Sequence, residues 1–298
     1  MKHHFGDLLD RTGDYWSIVP NRERYAYTAD EEIKNKEAVK ILTISKYDKC
    51  WKQIFDCPNI EELTLHEPNK EQICEIRKLT QLTRLRVTHL KTNDINFIAD
   101  LIHINELILE YVSGFSDLTP LQKLTKIKSI HFENLRRVSS FDGLMGLDSL
   151  RYLHIDGMLD WKQPIDNFSF LEGLPNLEVL GLGFVINKTG YPAFLPILKL
   201  KKIRKIRIGL ATLSTKEYAF LEAAIPDGVC CHFGDLPWTP CYQTNDGSIE
   251  FIGKRAGNVK LSSVNANEKI EAFKQKYELY KQEAREFLNN YALHQGII

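Results

Sequence analysis

Carboxylates and imidazoles recur at a near-fixed interval through the middle of this chain. Glu110, Glu133 and Asp156 fall at corresponding places of successive segments, with Glu106 four residues before the first, and His131 and His154 among them. Imidazole nitrogen and carboxylate oxygen are donors that zinc accepts, so metal chemistry is one reading of the group. Arg84 and Arg86 precede the acids, Lys205 and Arg207 follow them, and Ile108 and Tyr152 stand between. Tyrosine and arginine among mixed charges have the composition of protein-binding hot spots, which is the other reading. Enzyme motifs fail on inspection. Gly181-Leu182-Gly183-Phe184-Val185-Ile186 lacks the third glycine of a dinucleotide fingerprint, and Gly253-Lys254-Arg255 has arginine where a phosphate loop needs serine or threonine. No H-E-x-x-H or G-x-S-x-G occurs. Cys230-Cys231-His232 brings thiols beside an imidazole, but in an alternating strand Cys231 is expected in the core.

The elements that carry these residues are written as one strand motif, apolar-x-x-apolar-x-apolar, repeated eight times. Ile60/Leu63/Leu65 and Leu82/Leu85/Val87 are two copies, and the central anchors are Leu42, Leu63, Leu85, Leu107, Ile130, Leu153, Leu180 and Ile206, 21 to 27 residues apart. After the strands come apolar ladders with a step of three, such as Leu118/Leu121/Leu124/Ile127, Phe141/Leu144/Leu147/Leu150 and Phe168/Leu171/Leu174/Leu177. A step of three suits 3₁₀ turns, in which residues i and i+3 eclipse. Each repeat is therefore a strand, a turn and a short helical return. Stacked coils make one long parallel sheet.

Residues 38–210 resemble the leucine-rich repeat family, most closely its bacterial internalin-like class of roughly 22-residue period, and Ser116-Asp117-Leu118-Thr119-Pro120-Leu121-Gln122-Lys123-Leu124 looks like that class's return segment. The resemblance implies an α/β fold: a right-handed solenoid with a parallel concave sheet and a 3₁₀ or short-helical convex side. It also implies protein binding. One departure is clear. The family places asparagine or cysteine three residues after the third anchor to bond the turn, whereas this chain has Pro68, Leu90, Val112, Leu135, Met158, Val185 and Ala211 there. Without that ladder the family's turn geometry does not carry over.

Alternation along each strand sorts the residues onto two faces. The outward columns are Ile41/Glu62/Arg84/Glu106/Ser129/Tyr152/Val179/Lys205, then Thr43/Thr64/Arg86/Ile108/His131/His154/Gly181/Arg207, then Ser45/His66/Thr88/Glu110/Glu133/Asp156/Gly183/Gly209. The expected partner-binding residues are Arg84, Arg86, Glu106, Ile108, Glu110, His131, Glu133, Tyr152, His154 and Asp156, with Tyr152, Arg84, Arg86 and Ile108 as anchors. Stacked carboxylates repel at strand spacing, so Glu110, Glu133 and Asp156 call for relief by a basic partner or by Arg86, His131 and His154 in place. An open flat sheet gives a metal little outer support, so no metal and no cofactor is expected. Gly181, Gly183 and Gly209 form a bare patch that another backbone could approach.

The chain has 298 residues with 39 basic and 39 acidic side chains, so no net field draws nucleic acid or anionic membrane. No signal peptide or membrane-spanning segment is legible, and six cysteines without a C-x-x-C pair read as reduced thiols. A cytoplasmic monomer is expected. Residues 1–37 form an N-terminal cap, with a hairpin turning at Pro20-Asn21-Arg22-Glu23. Residues 38–235 form the array of eight to nine repeats, the ninth strand being Val229-Cys230-Cys231-His232-Phe233. Residues 236–298 form a C-terminal cap: a hairpin at Asn245-Asp246-Gly247 and a helix from Asn267 to Ala292. The helix seam Ile270/Phe273/Tyr277/Tyr280/Ala284/Phe287/Tyr291 is expected to dock on this cap. The function expected is non-catalytic capture of a folded protein on the concave sheet. By elimination, a bacterial immunity protein that occludes a toxin domain fits. The alternative is a repeat-containing effector, or a scaffold that oligomerises through the helix.

Overall fold

A computed structural model describes residues 2–10, 17–232 and 238–294 of the chain. Strands β1 (Lys2–Asp10) and β2 (Ser17–Thr28) form an antiparallel hairpin, and the last residues of β2 pair in parallel with β3 (Ile41–Ser45), Tyr27 against Leu42 and Thr28 against Thr43. The array continues through β4 (Glu62–His66), helix α1 (Lys70–Glu75), β5 (Arg84–Thr88), β6 (Glu106–Glu110), β7 (Ser129–Glu133), β8 (Tyr152–Asp156), the short β9 (Gln163–Ile165), β10 (Val179–Gly183), β11 (Val185–Asn187) and β12 (Lys205–Ile208). Helix α2 (Thr215–Ala224) and β13 (Cys230–Cys231) close it. The described sheet has eleven strands, with β9 and β11 pairing separately outside it. This is the leucine-rich-repeat solenoid.

The register is the one the motif demands. Leu42, Leu63, Leu85, Leu107, Ile130, Leu153, Leu180 and Ile206 are paired strand to strand, and all are buried. The step-of-three ladders are read out as i→i+3 bonds. Leu121, Leu124 and Ile127 donate their N–H to Leu118, Leu121 and Leu124 at 2.9–3.0 Å, and the ladders beginning at Phe141 and Phe168 repeat this. Each return packs its apolar edge on the strand anchors, which makes one continuous core.

The turns after the strands are held without asparagine. Leu90, Val112, Leu135 and Val185 sit in the core instead. One residue earlier, Glu67, His89, Tyr111, Asn134 and Phe184 take left-handed conformations with φ of 43–56°. That conformation disfavours side chains other than glycine, and a coil-to-coil bond offsets it. The N–H groups of Glu67, His89, Tyr111 and Asn134 donate to Thr88, Glu110, Glu133 and Asp156 carbonyls at 2.9–3.0 Å. Buried glutamines strap the remaining backbone. Gln53 accepts from Ile33 N–H (2.7 Å) and donates to Glu31 carbonyl (2.8 Å). Gln163 accepts from Leu135 N–H (3.0 Å) and donates to Val138 carbonyl (2.7 Å). Gln72 completes a capping box with Asn69 and donates to Ser45 carbonyl (2.9 Å).

The ends differ from expectation in detail. β2 runs as one strand through Pro20–Glu23, where the sequence places a turn, and pairs with β1; the expected strand residues Tyr15 and Trp16 lie outside the described residues. In the ninth strand Cys230, not Cys231, registers with the anchor Ile206, because Cys231 pairs with Arg207; Phe233 lies outside the described residues. β14 (Cys241–Gln243) and β15 (Ser248–Phe251) form the hairpin around Gly247 at φ +78°, and β16 (Asn258–Lys260) adds a third strand. Helix α3 (Ala266–His294) lays its seam on α2 and this small sheet. Tyr277 and Ala284 are buried, Phe273 stacks on Phe251 at 4.4 Å, and Glu222 receives Tyr277 Oη (2.7 Å) and Lys281 Nζ (2.6 Å).

Candidate functional site

The columns sorted from the sequence exist as sorted. Arg84 pairs with Glu106, Arg86 with Ile108, Ile108 with His131, and Glu110 with Glu133, Glu133 in turn with Asp156. Their exposure is not as expected. Ile108 is 0% accessible, Tyr152 2%, His131 3% and His154 1%, and Arg84, Glu106 and Glu110 are also buried. Only Arg86, Glu133 and Asp156 of the expected set remain partly open. Of the four anchors, Arg84, Ile108 and Tyr152 therefore offer a partner almost no surface.

The close packing has a chemical cause. Arg84 bridges two strands, with Nη1 3.0 Å from Glu62 Oε2 and Nε 3.3 Å from Glu106 Oε2. Arg86 closes on Glu110 Oε2 through Nη2 (2.6 Å) and Nε (2.8 Å). Charge-assisted contacts of this kind are short and strong. The imidazoles of His131 and His154 stack at 4.8 Å, 2° from parallel. His154 lies over Gly181 and Asp156 over Gly183, where a Cβ would come within 2.1 Å of His154 Nδ1 and 2.4 Å of Asp156 Oδ1. The bare glycine patch is thus filled by this chain's own side chains. The carboxylates find partners locally: Glu110 with Arg86, Glu133 with His131 at 3.9 Å, and Asp156 with His154 at 3.3 Å.

Protonation follows from this environment. Burial pushes His154 down to about 4, against the pull of Asp156, so its ring is neutral at pH 7. The nearby His131 imidazole, 3.9 Å away, holds Glu133 below the usual carboxylate range, against the cost of burial. Burial keeps the Tyr152 hydroxyl from ionising. One donor each from Glu110, His131 and Glu133 lie within 4.8 Å of one another, an arrangement able to hold a cation.

The exposed chemistry lies at the C-terminal ends of the strands. The left-handed turns present His89, Tyr111 and Phe184 outward, while Asn134 is buried, and His89 and Tyr111 stack coil on coil with the strand-end His66. His66 meets His89 edge-on at 5.4 Å, His89 stacks on Tyr111 at 4.7 Å, and Tyr111 Oη reaches Met158 Sδ at 2.9 Å. The rim continues through Arg136, whose guanidinium lies 5.9 Å from the Trp161 ring, to Phe184 and Ile186 on the neighbouring coil. Leu159 is 85% exposed and Tyr47, in the turn after β3, 80%. Apart from His66, sequence columns missed this rim because it lies outside the alternating strand residues. A usable signal was present all the same: two places after the third anchor the residues are Glu67, His89, Tyr111, Asn134, Gly157 and Phe184, a column without the aliphatic residues that fill every anchor position but Phe132.

No family model matches the chain, and no curated protein matches it. Among solved structures it is similar to an internalin, InlF, of Listeria monocytogenes, at 19% identity and a TM-score of 0.46, over 58% of this chain and 48% of that one. Internalin C2 of the same organism gives 20% identity and a TM-score of 0.42, over 53% of this chain and 65% of its own. A leucine-rich-repeat protein of Leptospira interrogans gives 13% identity and a TM-score of 0.34, over 66% and 60%. The chain therefore spans about half to two thirds of the length of these proteins.

Proposed function

We propose that this leucine-rich-repeat solenoid is a non-catalytic module that binds a folded protein along its strand-end rim. The observation that carries the reading is the contrast in exposure. The concave columns from β5 to β10 are largely packed, while Tyr47, His66, His89, Leu159, Phe184 and Ile186 stand open at or just after strand ends. Exposed aromatic and apolar groups with arginines among them are what protein interfaces enrich. The partly open Glu133 and Asp156 lie beside the rim and would steer basic residues of the partner toward it. A toxin-occluding inhibitor in the cytoplasm, acting as a monomer, is the finer form of this reading, and that acidic edge is its support.

The test is a triple variant, Tyr47→Ala, Leu159→Asp and Phe184→Asp, used as bait beside the parent chain in lysate of the source cell. The partner captured by the parent should be lost, with the melting temperature unchanged. Equal capture by the variant removes the rim from the interface. Loss on Glu133→Gln with Asp156→Asn, but not on the rim variant, would return the interface to the sheet face.

A further inference from the structure

We propose that Glu110, His131 and Glu133 form a binding site for a divalent transition-metal ion of the zinc class. β6 and β7 are neighbours in register, so Glu110 and Glu133 stand side by side and His131 lies two residues before Glu133 on the same face. The three side chains bring one donor atom each within 4.8 Å of one another, so a small rotamer closure would seat an ion at the roughly 2.0–2.2 Å bond lengths of zinc.

The buried polar groups point the same way. His131 is 3% exposed, and neither Nδ1 nor Nε2 has a hydrogen-bond partner. The Glu133 Oε2 atom is 3.9 Å from its Nε2, beyond hydrogen-bond range. Asp156 Oδ1, next in the same column, is likewise buried without a partner. A buried imidazole with both nitrogens idle is rare unless something binds there. Charge makes the same argument. Glu110, Glu133 and Asp156 bring three carboxylates, and the Arg86 guanidinium is committed to Glu110. Two negative charges then remain on Glu133 and Asp156 beside the buried His131, which one divalent cation neutralises.

Outer support, which a bare sheet would lack, is present. Arg86 holds Glu110 by Oε2 and leaves Oε1 to ligate. The His154 ring stacks on His131 and fixes its plane. Such partners set a ligand's direction. One nitrogen and two oxygens, with no thiol, suit zinc, manganese or nickel over copper(I). Three protein ligands leave a further position, on the side where Glu133 and Asp156 meet solvent.

The test uses the full chain stripped with EDTA and titrated with zinc chloride by calorimetry, with cobalt(II) absorption as a second readout. One ion per chain is expected. Glu133→Gln, which keeps shape at a partly open position, should weaken binding by more than the roughly 10–100-fold that loss of an outer partner brings. His131→Asn should abolish the cobalt band at an unchanged circular dichroism spectrum. His66→Ala with His89→Ala should bind as the parent does. Zinc binding that survives Glu133→Gln and His131→Asn, or that falls with the His66 and His89 pair, overturns the site. So does no binding to the parent at 100-fold molar excess over the chain.

Discussion

Replacing Gln163 by alanine tests whether buried glutamines substitute for the missing asparagine ladder. Gln163 opens β9 and is fully buried. Its Oε1 accepts from Leu135 N–H at 3.0 Å and its Nε2 donates to Val138 carbonyl at 2.7 Å, so one side chain spans the turn of the preceding coil. That turn contains Arg137 at φ +79°. Truncation strands one donor and one acceptor inside the protein, and each unsatisfied group costs about 1–3 kcal/mol. The loss should be about 4 kcal/mol, which at about 2–4 °C per kcal/mol lowers the melting temperature by on the order of 8–16 °C. Urea unfolding followed by circular dichroism measures it, and hydrogen exchange at 135–138 localises it. Gln163→Glu should lose at least as much, since it sets an oxygen against the Val138 carbonyl. Gln122 provides the contrast: it is exposed, donates to Met145 carbonyl at 3.2 Å, and its alanine variant should stay within about 0.5 kcal/mol. A Gln163→Ala chain within about 1 kcal/mol of the parent would refute the strap, and the turns would then be held by backbone bonds alone.

Two further substitutions probe the C-terminal end. Burial raises the Glu217 carboxyl above its ordinary value of 4.5, against N–H donors from Ala193 and Phe194. The folded chain then holds more protons than the unfolded one between 4.5 and that raised value, so stability falls as pH rises through this window. Glu217→Gln should flatten that fall in melting temperature, and parallel curves for the two chains would sink the argument. Tyr277→Phe removes the hydroxyl that donates to Glu222 at 2.7 Å, while Lys281 keeps the other oxygen. It should cost about 1.5–3 kcal/mol, as a bond to a charged group does, and loosen α3 in hydrogen exchange before the repeats. Uniform loosening of the array would count against an independent cap.

What could be read from the sequence was what repeats. The anchors and the step-of-three ladders have one chemical identity in every coil, so Leu42 to Ile206 fix the register and Leu118 to Ile127 fix the returns. The straps do not repeat. Gln53, Gln72 and Gln163 each reach a different point of the preceding coil, so no spacing announces them. β16 is three residues of ordinary composition and gave no signal. The site was half legible. Alternation tells which side of a sheet a residue occupies, and it placed all ten expected residues on one face. It says nothing of accessibility. That depends on Arg84 lying along Glu62 and Glu106, and on rings leaning over Gly181, neither of which a one-dimensional pattern contains.

The neutral charge of this chain takes on a different meaning once the pairs are drawn. Lys40 meets Glu61, Arg77 meets Asp100, Arg84 meets Glu62 and Glu106, Arg86 meets Glu110, Arg151 meets Glu178, and Lys188 meets Asp166. Every one of these pairs joins a coil to its neighbour. Singly, the exposed pairs among them contribute roughly 0–1 kcal/mol each, so they are poor sources of stability, and the largely buried Arg84 and Arg86 pairs carry a desolvation cost. Their value is in order. The apolar anchors are interchangeable between coils, and a core of leucine and isoleucine alone would tolerate a strand paired with the wrong neighbour. Charges that match only the adjacent coil penalise that error, as opposed charges do between paired strands. Spending charge on register leaves less of it to attract a distant partner. Recognition must then rest on the aromatic and apolar side chains of the rim, where shape, not field, selects what binds.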